Sequence, residues 1–221
     1  MVKINTTYQS PNFADEITEP KYIVLHCMCF DDKTSLEFLC AEANGVSAHY
    51  FIARDGQIYN LVPDNKKAWH AGVSKWKNDE MLNTNSIGIE LGNTGTLGDE
   101  SGYTKQQYDS LIELLKDLQG RYKIKAENII AHSDISCDRK TDPGARFNWS
   151  VLVENDLAVD FSKLSNTTDY ISNLTDFGYN ITYGEKNVIK AFQRRFLSDN
   201  ISGELDNNTK QFIQDSKINR G

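Results

Sequence analysis

The sequence predicts an α/β protein, with a mixed central β-sheet flanked by helices and followed by a small three-helix unit. Three observations lead to this prediction. Short β-rich apolar runs alternate with amphipathic stretches over residues 22–131, the pattern of a sheet covered by helices. Two of the runs flank an Asp-Gly pair, which is the signature of a β-hairpin. Three short amphipathic segments occupy residues 170–213, after a Ser/Asn/Thr-rich stretch.

The first part of the sheet is predicted from three successive signals. Residues 22–26 form a short apolar run, typical of a buried central strand. Residues 35–43 have helical periodicity. Segments 48–53 and 57–61 are then joined through Asp55-Gly56, and this pair predicts a tight hairpin turn with positive φ angles.

The second part of the sheet surrounds the clearest helix of the chain. Residues 86–91 predict another strand, and residues 129–131 predict the last one. Between them, residues 103–121 carry apolar side chains on one helical face. Thr104 and Gln107 have the spacing of a capping box at the start of this helix.

The chain divides into a larger domain, residues 1–164, and a small domain, residues 165–221. The division rests on the stretch 165–168, whose Ser, Asn and Thr residues indicate a linker. The helices of the second domain are predicted around residues 170–177, 188–196 and 209–213. This tail contains no histidine, so we expect it to bind a partner rather than to carry chemistry.

Composition excludes several classes of protein. The net charge of -7 argues against nonspecific nucleic-acid binding, which requires clustered Lys and Arg. No apolar run approaches the roughly 20 residues of a membrane span. The first ten residues lack the apolar core of a signal peptide, so we expect a cleaved signal or lipid anchor, where one exists, to lie outside this chain.

The cysteines do not indicate a metal site. Cys27, Cys29, Cys40 and Cys137 form no CxxC pair, which argues against a cysteine zinc site. Cys29 and Cys40 could pair if a strand and the next helix bring them together. Buried reduced thiols are an equally good interpretation.

Histidines and carboxylates, in contrast, indicate a metal. Residues 131–144 combine a histidine, a lysine and several carboxylates behind the apolar run 129–131, as if a strand delivered ligands to a site. Zinc prefers His nitrogen and carboxylate oxygen. His26 and His132 each end a predicted strand, which favours them as a ligand pair, while the spacing leaves the third ligand open. The candidate ligands are His26, His49, His70, His132, Asp134, Asp138 and Asp142.

Five ordered blocks of the sequence resemble the type-2 N-acetylmuramoyl-L-alanine amidases, zinc enzymes that trim peptidoglycan. The blocks are Val24-Leu25-His26, Ser47-Ala48-His49-Tyr50, Ala68-Trp69-His70-Ala71-Gly72, Asn85-Ser86-Ile87-Gly88-Ile89-Glu90-Leu91, and His132-Ser133-Asp134 with Lys140-Thr141-Asp142-Pro143-Gly144. The resemblance covers about residues 21–149. The tail is similar to the peptidoglycan-binding three-helix domain, on segments 177–179, 188–193 and 203–209. That pairing is typical of periplasmic, lipoprotein-type members.

The resemblance implies a role for each of several residues. It assigns zinc (Zn2+) to His26, His132 and Asp142. It makes Glu90 the acid/base residue, and Lys140 the cation beside the reacting carbonyl. The residues that we expect to contact substrate are Trp69, His70, Ala71, His49, Arg54 and Asn93.

Three of the remaining candidate ligands have other roles in this interpretation. His49 is not a ligand in the family pattern, so packing and hydrogen bonding beside the hairpin are its favoured role. Asp134 and Asp138 are expected to shape the loop. The idea that all four histidines serve the metal is therefore set aside.

The implied reaction is hydrolysis of the amide between the lactyl group of N-acetylmuramic or anhydro-muramic acid and the L-alanine of peptidoglycan stem peptides. It serves cell-wall degradation or recycling. The expected partners are peptidoglycan or muropeptides, with no nucleic acid. We expect a monomer in the bacterial cell envelope, in the periplasm, that contacts the membrane only through a removed lipid anchor.

Two other functions are compatible with parts of the sequence. Related peptidoglycan-recognition proteins keep the fold, lose a zinc ligand and only bind; the presence of all five metal and catalytic residues argues against this here. A cysteine peptidase would use Cys27, Cys29 or Cys137. A nucleophilic thiol needs a helix N-terminus or an adjacent cation, and the first two cysteines lie in or just past a strand, which disfavours this alternative.

Overall fold

A six-stranded mixed sheet forms the centre of the protein. The computed structural model describes residues 2–15, 19–94, 102–160 and 169–218, with the backbone alone for residues 214–218. Across the sheet the strands follow the order β1 (Ile4–Asn5), β5 (Ile58–Asn60), β4 (Tyr50–Ile52), β9 (Ser86–Gly92), β3 (Tyr22–Met28) and β10 (Ile129–Ala131). All neighbouring pairs are parallel except the β4–β5 hairpin.

The remaining elements surround this sheet. Two short antiparallel ribbons pair β2 (Phe13–Ala14) with β6 (Lys67–Ala68) and β7 (Lys75–Trp76) with β8 (Asp79–Glu80). The first helices are α1 (Asp32–Cys40), α2 (Lys105–Tyr122), α3 (His132–Ile135) and α4 (Trp149–Val153). The tail contains α5 (Tyr170–Phe177), α6 (Glu185–Phe196) and α7 (Asn207–Ile218).

The two faces of the sheet are buried by different elements. Successive side chains of a strand point to opposite faces, so Ile23 and Leu25 of β3 pack against the leucines of α2, whereas Val24 packs on the other side. In β9, Ile87 and Ile89 likewise face α2. The residues between them therefore face away from α2, and this is the face on which the polar residues at the end of β3 and β9 lie.

The structure confirms the predicted α/β fold. Strand β10 matches the predicted residues 129–131, and β9 extends the predicted strand by one residue. Helix α2 begins at the capping box: the Thr104 side chain accepts from the Gln107 amide, and the Gln107 side chain accepts from the Thr104 amide. Local signals are strong in these elements because the periodicity and the cap agree.

Three local predictions need correction. Helix α1 begins earlier than the predicted residue 35, because the Asp31 side chain accepts from the Thr34 amide and caps it. In the hairpin turn, only Gly56 has a positive φ, of 87°. The turn is closed by backbone hydrogen bonds that join Ala53 to Gly56 and Gln57, so its loop is longer than two residues. His132 does not extend its strand but begins the one-turn helix α3.

The C-terminal helices pack against the sheet face opposite α2. Phe177 and Tyr179 surround the buried Trp76 with ring centroids 5.6 and 5.1 Å away. Gly178 lies against the same indole, where a Cβ would come within 2.4 Å of the ring. The predicted linker, residues 165–168, lies outside the described residues, so the division at residue 164 stays a prediction.

Among the described residues, no helix combines the length and apolar character that spanning a membrane requires.

Candidate metal centre

The carboxyl ends of three parallel strands bring the candidate site together. In the β3–β9 register His26 is paired with Glu90. Strand β10 ends beside Leu25 of β3, so His132, the next residue of the chain, follows alongside His26. Parallel strands place their carboxyl ends at one edge of the sheet, the usual position of a site in open α/β sheets.

Two imidazoles and one carboxylate converge on a single point at this edge. Nδ1 of His26 lies 2.9 Å from Nδ1 of His132 and 3.2 Å from Oδ2 of Asp142. Nδ1 of His132 lies 3.0 Å from the same Asp142 oxygen. All three residues are buried, and they form the described group with the spacing to hold a metal ion.

The outer nitrogens of both imidazoles have partners that leave Nδ1 free to offer a lone pair. Nε2 of His132 lies 3.2 Å from the carbonyl oxygen of Ala71. Nε2 of His26 lies 3.0 Å from Nδ1 of His70, whose Nε2 is 3.4 Å from the Ser86 hydroxyl. Ligating histidines commonly donate their second N–H to a carbonyl or another acceptor, so these contacts fit a metal at the point the Nδ1 atoms share.

The pKa shifts of His26 and Asp142 also fit a cation site. Burial, followed by the proximity of His132, lowers the pKa of His26 to about 4, which keeps the ring neutral. Burial alone would raise the pKa of Asp142, but His132 and His26 outweigh it and hold that pKa below its usual range. Imidazole nitrogens and an ionised carboxylate are donors typical of a zinc site.

Glu90 is a buried carboxylate beside this point. It is 8% exposed, and its Oε2 atom has no hydrogen-bond partner among the described residues. Burial, with the nearby Asp142 charge, holds the pKa of Glu90 well above its ordinary value. A carboxyl group with a raised pKa in a cleft is a candidate general acid/base.

Lys140 contributes a positive charge to the same cleft. It lines the cleft together with Thr141 and Asp142, and its ammonium group makes no hydrogen bond or ion pair with the described residues. Its positive charge favours a lower pKa at both Glu90 and His26, although burial raises the pKa of Glu90 overall. Arg139 lines the cleft too, but its guanidinium donates to the carbonyls of Ala71 and Val73.

The cleft is large enough for a small-molecule substrate. Its volume is about 440 Å³, within the roughly 300–1,000 Å³ of typical ligand pockets. Three exposed aromatic residues stand along its wall: Phe30, Phe38 and Trp69, which are 46%, 37% and 36% exposed. Exposed aromatic residues of this kind mark a binding surface rather than a folding core.

A family comparison identifies the class of protein to which this cleft belongs. The family described as N-acetylmuramoyl-L-alanine amidase matches residues 16–145 of the sequence, which is more than half of the chain.

The chain belongs to the type-2 N-acetylmuramoyl-L-alanine amidases.

Individual relatives of this amidase agree with the family match. The N-acetylmuramoyl-L-alanine amidase AmiD of Escherichia coli (strain K12) is 33% identical over 88% of this chain and 81% of its own length. The 1,6-anhydro-N-acetylmuramyl-L-alanine amidase AmpD of Enterobacter cloacae is 49% identical over 48% of this chain and 54% of its own. The match to AmiD therefore spans most of both sequences, and the match to AmpD about half of either sequence.

A solved structure of AmiD from E. coli is also similar to this amidase. It contains the substrate anhydro-N-acetylmuramic acid-L-Ala-D-gamma-Glu-L-Lys, and it superimposes with a TM-score of 0.78 at 31% identity, covering 93% of this chain and 91% of that one. This likeness supports the fold of the amidase along almost its whole length.

The structure places only two of the expected substrate-contacting residues in the cleft wall, namely Trp69 and His70. Ala71 is fully buried, and its carbonyl supports His132 instead. Asn93 is 5% exposed, and its side chain donates to the Gly102 carbonyl. Arg54 lies beyond the end of β4, where its amide donates to a nearby carboxylate. Ala71, Arg54 and Asn93 are not among the described residues that line the cleft, and their expected contact with substrate stays a prediction.

His49 packs and hydrogen-bonds beside the hairpin in this structure, and its expected contact with substrate stays a prediction. The ring is fully buried. Its Nε2–H donates to the Lys66 carbonyl over 2.9 Å, and its Nδ1 accepts from the Gly88 amide over 3.0 Å. Both ring nitrogens are thus occupied by backbone groups, one in β9 and one just before β6.

This burial predicts a pH dependence of stability for the amidase. Desolvation lowers the pKa of His49 from 6.5 to about 4. Between these two values the unfolded state binds more protons than the folded state, so stability falls as the pH falls from 6.5 to 4. Over this pH range, protonation of His49 in the unfolded state alone lowers the free energy of unfolding by up to about 3 kcal/mol. Urea unfolding at a series of pH values should show this fall. His49→Gln, which keeps only the bond to Lys66, should be less stable at pH 7 and have a shallower slope; an unchanged slope would contradict the assignment.

The pKa shifts of Cys27 and Cys137 disfavour both as a nucleophile. All four are free thiols, so the Cys29–Cys40 disulfide that the sequence left open is not formed. Cys27 lines the cleft beside Cys29. Its hydrogen bond to Cys29 and its burial hold the pKa of the Cys27 thiol far above its ordinary value, and burial does the same for Cys137. A catalytic thiolate requires the opposite shift.

Sequence reasoning missed several residues around the site. Phe30, Phe38 and Arg139 give no local sign of function, because an apolar residue near a helix and a cation in a loop are common everywhere. The Ala71 carbonyl was missed for a different reason: a backbone atom leaves no residue-type signal. Only the Ala68-Trp69-His70-Ala71-Gly72 block, read as a whole, indicated that this loop adjoins the site.

Proposed function

We propose that this amidase hydrolyses the amide between the lactyl group of N-acetylmuramic or anhydro-muramic acid and L-alanine of a stem peptide, with one zinc ion held by His26, His132 and Asp142. The observation that carries the proposal is the convergence of these three donor atoms within 3.2 Å of one another, beside the Glu90 carboxyl group, whose Oε2 atom is buried without a hydrogen-bond partner among the described residues. The relatives named above are amidases for this class of bond.

When bound, zinc supplies Lewis-acid chemistry that lowers the pKa of water to about 7 and polarises a carbonyl.

The residues of the chain carry the proton and charge movements in this proposal. Glu90 accepts a proton from the attacking water and returns it to the leaving amine of L-alanine, a role that its raised pKa suits. The ammonium of Lys140 faces the oxygen that becomes negative in the tetrahedral intermediate. Glu90 is buried beside the donor atoms, where the dielectric is lower than in bulk water.

The geometry also suggests which cleft residues bind substrate. Trp69, Phe30 and Phe38 offer exposed ring surface beside the metal centre, and rings of this kind suit the apolar faces of a sugar. His70 reaches the cleft as well, but its ring nitrogens are engaged with His26 and Ser86. We therefore assign His70 to holding His26 rather than to contacting substrate.

The alternative of a binding protein without activity is less well supported. Such a protein needs no buried carboxyl oxygen without a hydrogen-bond partner, since an unpaired buried polar group destabilises a fold. Glu90 has this costly placement next to the donor atoms, which a catalytic role explains.

The test is analysis of products by mass after incubation with purified muropeptides. We expect each substrate to split once, with addition of one water, into a lactyl sugar and a free peptide that begins with L-alanine. Dipicolinate treatment should abolish the split, and added Zn²⁺ should restore it. Anhydro and intact muropeptides assayed side by side would define the preferred sugar. Uncut substrate in the zinc-loaded protein would overturn the amidase proposal, and chelator-resistant cleavage would overturn the metal.

The place of action and the role of the tail are separate proposals. We infer the bacterial cell envelope, and within it the periplasm, from the names of the relatives, which act on cell-wall material. The tail would bind the wall and raise the local substrate concentration. A monomer suffices for the site, because all of its donor atoms come from one chain.

A further inference from the structure

A buried ion pair joins the C-terminal helices to the turn that carries His132. On α6, Nη1 of Arg195 lies 2.6 Å from Oδ2 of Asp134, and both side chains are almost completely buried. The Tyr179 hydroxyl, just after α5, donates to Oδ1 of the same carboxylate over 2.8 Å. Both oxygens of Asp134 are thus held by residues that come from the tail of the chain.

Asp134 lies in the same helical turn as the metal ligand. Its Oδ2 atom accepts from the Ala131 amide over 2.9 Å, which caps α3 immediately before His132. Within the turn, the Ser133 amide donates to the Asp142 carbonyl over 2.9 Å. The orientation of this short helix therefore sets the positions of two of the three donor residues together.

Arg195 is itself fixed in place on several sides. Its guanidinium stacks 4.1 Å above the Trp149 ring and donates through Nη2 to the Ile129 carbonyl over 3.3 Å. Ile129 begins β10, the strand that leads into α3. The cation consequently contacts both ends of the segment that delivers His132.

We propose that Arg195 is a positioning residue of the metal centre, acting from the tail through Asp134 on His132. The inference rests on the metal site proposed above. Its physical basis is that a buried carboxylate which loses its cation must either recruit water or move towards it. A one-turn helix, with little internal hydrogen bonding, yields easily to that movement. The C-terminal helices then serve the metal centre directly, in addition to any binding of the wall.

The experiment compares zinc affinity and local hydrogen exchange in three variants of the full chain. Arg195→Gln removes the cation and leaves Asp134 unpaired. The double variant Asp134→Asn with Arg195→Gln replaces both partners by amides, so no buried charge stays behind. Ile189→Ala is the matched control, because this buried residue of α6 supplies packing but no polar contact to α3.

In Arg195→Gln we expect zinc affinity, measured by competition with a chromophoric chelator, to fall about tenfold, at the lower end of losses seen for outer-shell changes around metals. Hydrogen exchange in the peptide spanning residues 131–137 should become faster in the metal-free protein. The double variant should recover most of both losses. Ile189→Ala should lower the unfolding temperature while leaving zinc affinity and exchange in this peptide close to wild type.

Two readouts keep this inference separate from the proposed function. If the wild-type protein binds no zinc, the metal proposal fails and the positioning of a ligand fails with it, whatever the exchange data show. If the wild type binds zinc and Arg195→Gln binds it equally well with unchanged exchange, the proposed function stands and Arg195 is a structural residue only.

A second variant is available if Arg195→Gln does not fold. Tyr179→Phe removes just the hydroxyl bond to Asp134, and it should also weaken zinc binding. Unchanged zinc affinity in Tyr179→Phe would overturn the inference.

Discussion

Replacing Glu90 with glutamine should lower kcat for muropeptide hydrolysis by about 10³-fold, within the 10²–10⁴-fold range of general acid/base groups. Glutamine keeps the size of the side chain but cannot accept the proton of the attacking water. Stopped-time product analysis by mass would measure the loss. Zinc content should stay at one per chain, because Glu90 is not among the three converging donor residues.

Stability distinguishes this loss from misfolding. Glu90 is buried with its Oε2 atom unpartnered among the described residues, so replacing the carboxyl group by an amide should leave the protein at least as stable at pH 7 as the wild type. Active sites commonly sacrifice stability in this way. Glu113→Gln, on the exposed face of α2, is the matched control and should retain full activity. Turnover close to wild type in Glu90→Gln would remove this residue from the mechanism.

The second large effect is expected for His26→Ala, which should lose bound zinc. Two donor residues would then be left in place of three, and the affinity should fall further than the roughly 10–100-fold that outer-shell changes cost. Metal analysis after gel filtration should therefore find far less than one zinc per chain, and hydrolysis should fall to background.

His49→Gln is the control for this experiment, since His49 is equally buried but bonds only to backbone groups. It should be less stable and still carry one zinc. Stoichiometric zinc in His26→Ala would show that the ligand assignment is wrong. Loss of zinc in both variants would instead indicate that general destabilisation, rather than ligation, controls metal content.

The accuracy of the sequence-based predictions followed the strength of local signals. Helix α2 and strands β9 and β10 were placed well, because caps, periodicity and length all act within a few residues of each element. The edge strand β1 and the ribbon β2–β6 were not predicted. Each consists of two residues per strand, and pairings so short leave no periodicity to detect.

The candidate site residues were predicted from ordered motifs rather than from local periodicity. His26, His132 and Asp142 were brought together through the resemblance, and the structure now gives the distances between their donor atoms. Arg54 and Asn93 were expected near substrate but lie outside the described lining of the cleft. Their expected contact with substrate came from the resemblance alone and stays a prediction.

By itself, the sequence determined the α/β class, the family and the residue types able to bind a metal, since these depend on periodicity and on ordered motifs. Tertiary structure alone decided that His70 contacts His26, that the Ala71 carbonyl supports His132, and that Arg195 neutralises Asp134 across 61 positions of the chain. Such partners are chosen by packing between distant segments. Nothing local in the sequence encodes which buried carboxylate a given arginine will meet, and that meeting is what joins the C-terminal helices to the metal centre.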